Sequence, residues 1–130
     1  MNLKVAIFED DTDVADLLKE MMEAKGFQVS CFYNLKDIGW QTCDVILGDY
    51  RNKIVSFKSL QSECQTKTIP LIAISGAETD YSPQLMKPFA IEDLQAIILD
   101  TLVKSKGGLS NKKLGANDPD FYLPPFKKSS

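Results

Sequence analysis

Histidine is absent from the chain. Its absence removes both the commonest general base and the usual nitrogen ligand of a zinc site. Acid–base or transfer chemistry must therefore come from carboxylates, lysines, hydroxyls or a metal-bound water. Cysteine is scarce: Cys31, Cys43 and Cys64 lie far apart with no C-x-x-C pair. An odd, unclustered set fits a reducing, cytoplasmic setting, with each thiol a small, half-buried core group. No apolar run approaches the roughly 20 residues needed to span a bilayer. The first apolar run is broken by Glu9-Asp10-Asp11, which argues against a secretory leader. A net charge of −3 offers no general attraction to nucleic acid or anionic lipid. There is no internal repeat.

What the chain does hold, in 130 residues, is room for one domain with one sizeable core. Leu3 to Phe8 is a branched, apolar run stopped sharply by acids, which predicts a buried parallel strand. Thr12 or Asp13 can cap a helix with Val14, Leu17, Leu18, Met21 and Met22 on one stripe, and Lys25-Gly26 stops it. Phe27 to Phe32 alternates as a second strand. Asn34 can cap a brief helical stretch over Leu35 to Ile38. Asp44 to Gly48 reads as a third, buried strand with Asp49 just past its end. Ile54 to Cys64 reads as a helix, and Ile69 to Ile74 as a fourth strand followed by Ser75. Gly76 to Pro83 is turn-rich and leaves little room for a helix. Gln84 to Met86 is a short fifth strand ending at Lys87-Pro88, and Ile91 to Lys104 is the last helix. Strands alternating with helices imply right-handed βαβ units, hence a doubly wound α/β sheet covered on both faces. From Ser105 to Ser130 the composition shifts to Gly, Asn and Lys around the apolar knot Phe121 to Phe126, which reads as a tail without its own core.

In an open parallel sheet, functional groups gather just outside the carboxyl ends of the strands. Here strand one delivers Glu9, Asp10 and Asp11, strand three Asp49, strand four Ser75 and strand five Lys87. Three carboxylates close together repel unless a cation is present, and Mg²⁺ suits an all-oxygen site that retains waters. Each element has a bland reading: an acidic trio is often a solvated cap, a strand-end Asp a turn residue, and Lys87-Pro88-Phe89 a rigid bend. Their ordered occurrence at four strand ends carries the weight.

That ordered set, Phe8-Glu9-Asp10-Asp11, Asp49, Ser75 and Lys87-Pro88-Phe89, resembles the receiver domain of two-component response regulators. The resemblance covers roughly Leu3 to Lys104. It implies a flavodoxin-like, five-stranded parallel sheet of order 2-1-3-4-5, with a body over 1–104 and a tail over 105–130. It also implies Asp49 as the phosphoacceptor, catalytic with Ser75 and Lys87. Mg²⁺ would be held by Asp10 directly, Glu9 largely through water, Asp49, and the main-chain carbonyl of Arg51. Lys87 would pair with phosphoryl oxygens, Ser75 would hydrogen-bond them, and Lys87-Pro88 would be cis. The implied partners are a sensor histidine kinase or phosphotransfer protein and a downstream protein. The role is a switch, not a turnover enzyme.

The sequence departs from the family in places that bear on output. Tyr50-Arg51-Asn52-Lys53 replaces the usual residues after the acceptor. The second helix looks short, and Ser75 and Lys87 lie too close for a full fourth helix. Gln84 stands where an aromatic is usual, with Tyr81 nearby. A receiver that binds partners without phosphorylation is therefore the alternative function. A haloacid-dehalogenase-like phosphohydrolase would need an acid at position 51, which is Arg. A flavodoxin-like cofactor site is disfavoured because Glu9-Asp10-Asp11 would repel a phosphate. The aromatic tail segment is a docking element for the body, a partner motif, or simply a terminus.

Overall fold

The computed structural model describes residues 3–113, with side chains described as far as Ser105. Five strands form one parallel sheet of order β2-β1-β3-β4-β5. They are β1 (Lys4–Phe8), β2 (Gln28–Phe32), β3 (Val45–Asp49), β4 (Leu71–Ser75) and β5 (Gln84–Met86). Three α-helices accompany them: α1 (Thr12–Glu23), α2 (Phe57–Lys67) and α3 (Ile91–Lys113). The expected doubly wound sheet and its strand order are thus present.

Alternation along the strands divides the core in two. Val5, Ile7, Val45, Leu47, Ile72 and Ile74 meet Leu18 and Met22 of α1 and Leu94, Ile98 and Leu102 of α3 on one face. Ala6, Phe8, Ile46 and Ala73 meet Phe57, Leu60 and Cys64 of α2 on the other. Burying both sides of every central strand explains why these segments read as continuous apolar runs in the sequence.

Local chemistry sets the helix starts. Asp11, not Thr12 or Asp13, caps α1: its Oδ1 accepts from the N–H of Asp13 at 3.0 Å and of Val14 at 3.2 Å. Helix α2 begins three residues later than the apolar pattern suggests. Asn52 Oδ1 accepts from both Ile54 and Val55 N–H at 2.8 Å, holding them in a turn, and Ser56 supplies the cap. Leu17, expected on the inward stripe of α1, is 56% exposed.

The brief helix expected over Leu35 to Ile38 does not form. Asn34 Oδ1 instead accepts from Lys36 N–H at 2.9 Å in a local turn, and a 3₁₀ turn follows at Trp40–Thr42. Gly39, at φ 116°, takes a left-handed conformation that delivers Trp40 to the α2 face. There Trp40 is fully buried, edge-on to Phe8 at 5.7 Å, with its Nε1–H donating to Leu35 O at 3.0 Å. One large ring fills volume that a helix would otherwise cover.

The segment between β4 and β5 contains no helix, as its length implied. The last helix, by contrast, continues to Lys113 rather than stopping at Lys104. Among its described side chains the last buried one is Leu102. The aromatic segment Phe121 to Phe126 lies outside the described residues.

Candidate functional site

Three strand ends feed one polar cluster, Glu9 and Asp10 after β1, Asp49 at the end of β3 and Lys87 after β5, and Ser75 closes β4 at the same edge of the sheet. β1 runs into Glu9 and Asp10, and the Asp11 cap turns the chain away into α1 immediately afterwards. β3 ends on Asp49, paired in register with Ile74, and the next residue of β4 is Ser75. The Lys87 N–H donates to Ser75 O at 2.7 Å and so continues the β4–β5 pairing, which places Lys87 at the same end of the sheet. Gly48 makes this arrangement possible. A Cβ there would stand 2.8 Å from Leu60 Cδ2 and 3.3 Å from Leu71 and Phe57, so glycine lets α2 pack closely against β3 beside Asp49.

Glu9, Asp10 and Asp49 each bring a carboxylate oxygen within 4.8 Å of the others. Glu9 is the deeply buried member, 4% exposed, while Asp10 and Asp49 are half-buried. Lys87 Nζ lies 3.2 Å from Glu9 Oε1, and Asp11 N–H donates to Glu9 Oε2 at 3.1 Å. Asp49 Oδ1 accepts from Arg51 N–H at 3.4 Å, and Asp10 Oδ2 accepts from Lys53 N–H at 3.2 Å. The β3–α2 loop therefore curls over the acids and offers them backbone donors. Lys53 was not singled out from the sequence, because a main-chain contact leaves no residue-type signature.

The electrostatics follow from this packing. Burial pushes the Glu9 carboxyl above its ordinary value; the Asp11 N–H opposes that, Asp49 adds to it, and Lys87 opposes it. Burial also raises Asp49, against the pull of Lys87 and the Arg51 N–H and with added repulsion from Asp10. Asp10 is lowered: its slight burial acts upward, but the Lys53 N–H and the neighbouring acids hydrogen-bonded to it prevail. Glu9 and Asp49 are thus shifted upward and Asp10 downward, with their oxygens gathered within 4.8 Å of one another. The donor set is oxygen only and two of its members are open to water, which fits a hard divalent cation such as Mg²⁺.

Ser75 is buried, and its Oγ accepts from Ala77 N–H at 3.1 Å. Gln84 fills its position in an unexpected way. Its Oε1 accepts from Thr79 N–H at 2.9 Å and Thr79 Oγ1–H at 3.2 Å, and its Nε2–H donates to Thr79 O at 2.8 Å. A single carboxamide thus clamps the β4–β5 loop. Tyr81 turns inward, its hydroxyl donating to Leu71 O at 3.0 Å and its ring edge-on to Phe57 at 5.0 Å. The Lys87-Pro88 peptide is cis, as is Ser82-Pro83.

No protein-family model matches the sequence, and no curated protein matches it. Solved structures do. A CheY-like response regulator receiver domain protein from Methanospirillum hungatei JF-1 superposes with a TM-score of 0.71 at 18% identity, covering 83% of this chain and 99% of that one. A CheY-like receiver domain from Methylobacillus flagellatus gives 0.66 at 23% identity, with 78% and 99% covered. A two-component response regulator from Clostridium difficile gives 0.64 at 21%, with 77% and 95% covered. The fold is that of a response-regulator receiver domain, and the acidic cluster stands at the carboxyl edge of its sheet. Among the described residues, no helix is long and apolar enough to cross a membrane.

Proposed function

We propose that the chain is a phosphoacceptor receiver of a two-component phosphorelay, with Asp49 as the residue that takes the phosphoryl group. The observation that carries this is the convergence of Glu9, Asp10 and Asp49 within 4.8 Å, with Lys87 paired to Glu9 at 3.2 Å. The body is residues 1–104, followed by a segment over 105–130 without its own core. The setting is the cytoplasm.

An Asp49 carboxylate oxygen attacks the phosphorus of a phosphohistidine on a sensor kinase or phosphotransfer protein. The new O–P bond forms as the P–N bond breaks, and the electron pair remains on the imidazole nitrogen. Asp10, Asp49 and the Arg51 carbonyl would hold Mg²⁺ directly, with Glu9 acting largely through water; the ion supplies charge neutralisation for the phosphoryl oxygens. Lys87, paired with Glu9 at 3.2 Å, would transfer its contact to the incoming anion. The Ser75 hydroxyl, now engaged with Ala77 N–H, donates to the same group. Catalysis of this kind is positioning plus charge compensation, because the transition state is loose. The product is a modified surface that changes binding to a downstream protein. The chain is a switch and turns over no substrate of its own.

Intact-protein mass after incubation with Mg²⁺ and a small acyl phosphate tests the reading. One phosphoryl group is expected on the wild type, and none on Asp49→Asn or with EDTA. An unmodified wild type, beside a receiver that labels under the same conditions, would contradict it.

Gln84 favours a second reading. Its three bonds to Thr79 fix the loop that would have to move. A receiver body that binds its partner irrespective of phosphorylation is consistent with that clamp, and equal partner binding by wild type and Asp49→Asn would identify it.

A further inference from the structure

Loss of a helix between β4 and β5 leaves an open groove of about 460 Å³ between α2 and the 76–83 loop. Its wall is aromatic: Tyr50 lies 4.9 Å from Phe57, and Phe57 lies 5.0 Å from Tyr81, ring to ring. Its rim carries one charge of each sign, Lys58 on α2 and Asp80 on the loop, with Gln61 beside them. Asp80 is exposed and accepts from the Tyr50 hydroxyl at 3.1 Å. A slot with aromatic rings in its wall and a cation and an anion on its rim suits a short extended segment that carries both aromatic and charged residues.

The chain contains such a segment. Asp118-Pro119-Asp120 precedes Phe121-Tyr122-Leu123-Pro124-Pro125-Phe126, and Lys127-Lys128 follows. Acids lead, aromatics occupy the middle and lysines close, in the order that Lys58 and Asp80 would pair. Three prolines restrict the unbound segment, which lowers the entropic cost of ordering it.

Reach decides which copy supplies it. Helix α3 starts just after β5, at the site end of the sheet, and lies along the sheet face through Leu102. At 1.5 Å per residue its run to Lys113 is about 34 Å, against about 17 Å for a five-residue strand. Its end therefore projects past the edge of the sheet opposite the groove. Fully extended, the stretch 114–120 spans roughly 25 Å at most, too little to return along the helix and cross to the α2 face. We infer that the segment Asp118 to Lys128 of a second copy occupies the groove formed by Tyr50, Phe57, Lys58, Gln61, Asp80 and Tyr81, so that the chain self-associates by exchange of this segment. Reciprocal exchange closes at a dimer. The inference does not depend on phosphorylation of Asp49.

Sedimentation velocity of the full chain from low to high micromolar concentration tests it. The wild type is expected to pass from monomer to dimer, and Phe121→Ser/Phe126→Ser to remain monomeric with unchanged urea unfolding. Lys58→Glu is expected to weaken the dimer about fivefold. Combining it with Asp118→Lys/Asp120→Lys is expected to restore association. A wild type that stays monomeric throughout overturns the inference, as does association that survives the double serine variant. A Lys58→Glu effect that the charge swap fails to rescue also overturns the seating in this groove.

Discussion

Lys87 closes an ion pair with Glu9 at 3.2 Å, joining the end of the fifth strand to the end of the first. The Glu9 side chain is almost wholly buried, while that of Lys87 is about one-third exposed. The lysine therefore compensates a charge that cannot reach water, yet it retains a route towards an incoming anion.

Lys87→Ala should leave the fold intact but strand the Glu9 carboxylate. We expect a loss of about 1–2 kcal/mol at neutral pH, reduced from the fully buried case by the exposure of the lysine. Urea unfolding at pH 7 and at mildly acidic pH should show the loss shrinking as Glu9 protonates. The same variant should retain Asp49 but lose the structural response to its modification.

The site should make stability depend on both pH and Mg²⁺. Glu9 and Asp49 are raised in the folded chain. Their contribution is therefore fully present below the ordinary carboxylate value and is lost as pH rises through the raised values. Asp10 is lowered and acts oppositely, its contribution fading as pH falls through its depressed value. Without divalent ions, thermal unfolding should thus show a gain on mild acidification from neutrality. Mg²⁺ should raise the melting temperature at pH 7 and do so less at low pH, where protons compete. In the ion-free protein Asp49→Asn should be stabilising, by about 1 kcal/mol.

Gly48→Ala should cost about 1–3 kcal/mol, because the added methyl group meets Leu60 at 2.8 Å and also crowds Leu71 and Phe57. Chemical denaturation measures it. A neutral substitution would mean that α2 shifts freely, and Asp49 with it.

Gln84→Leu should release the β4–β5 loop. Three hydrogen bonds to Thr79 are lost, at a cost of about 1–2 kcal/mol, and Thr79 is left without its partner. Amide hydrogen exchange at Thr79 and Tyr81 should accelerate while β1 and β3 stay protected.

The thiols should be inert in the folded chain. Burial pushes Cys64 up to about 12 and also raises Cys31 and Cys43. A thiol reagent at pH 8 should modify Cys64 only after unfolding, and the other two slowly.

Much of this was legible in the chain, for identifiable reasons. β1, β3 and β4 are buried on both sides, so their apolar runs and polar ends are visible in a linear string, and the positions of Glu9, Asp49 and Ser75 follow. The missing helix before β5 was legible from spacing alone. What the string could not show depends on side chains finding backbone: Asn52 delaying α2, Lys53 N–H reaching Asp10, and Gln84 bonding Thr79. Trp40 is similar. Its burial replaces a helix only because Phe8 faces that side, which periodicity near Leu35 does not encode. The extension of α3 through Gly107-Gly108 runs against helix propensity, which costs about 1 kcal/mol per glycine.

The central claim is that Asp49 itself accepts a phosphoryl group. The most direct measurement is borohydride reduction of the protein after incubation with Mg²⁺ and a small acyl phosphate, followed by peptide mapping. An aspartyl phosphate is reduced to homoserine, and the account predicts homoserine at position 49 and at no other acid. Reduction at Asp10, or at no position in a sample beside a receiver that labels normally, would contradict it.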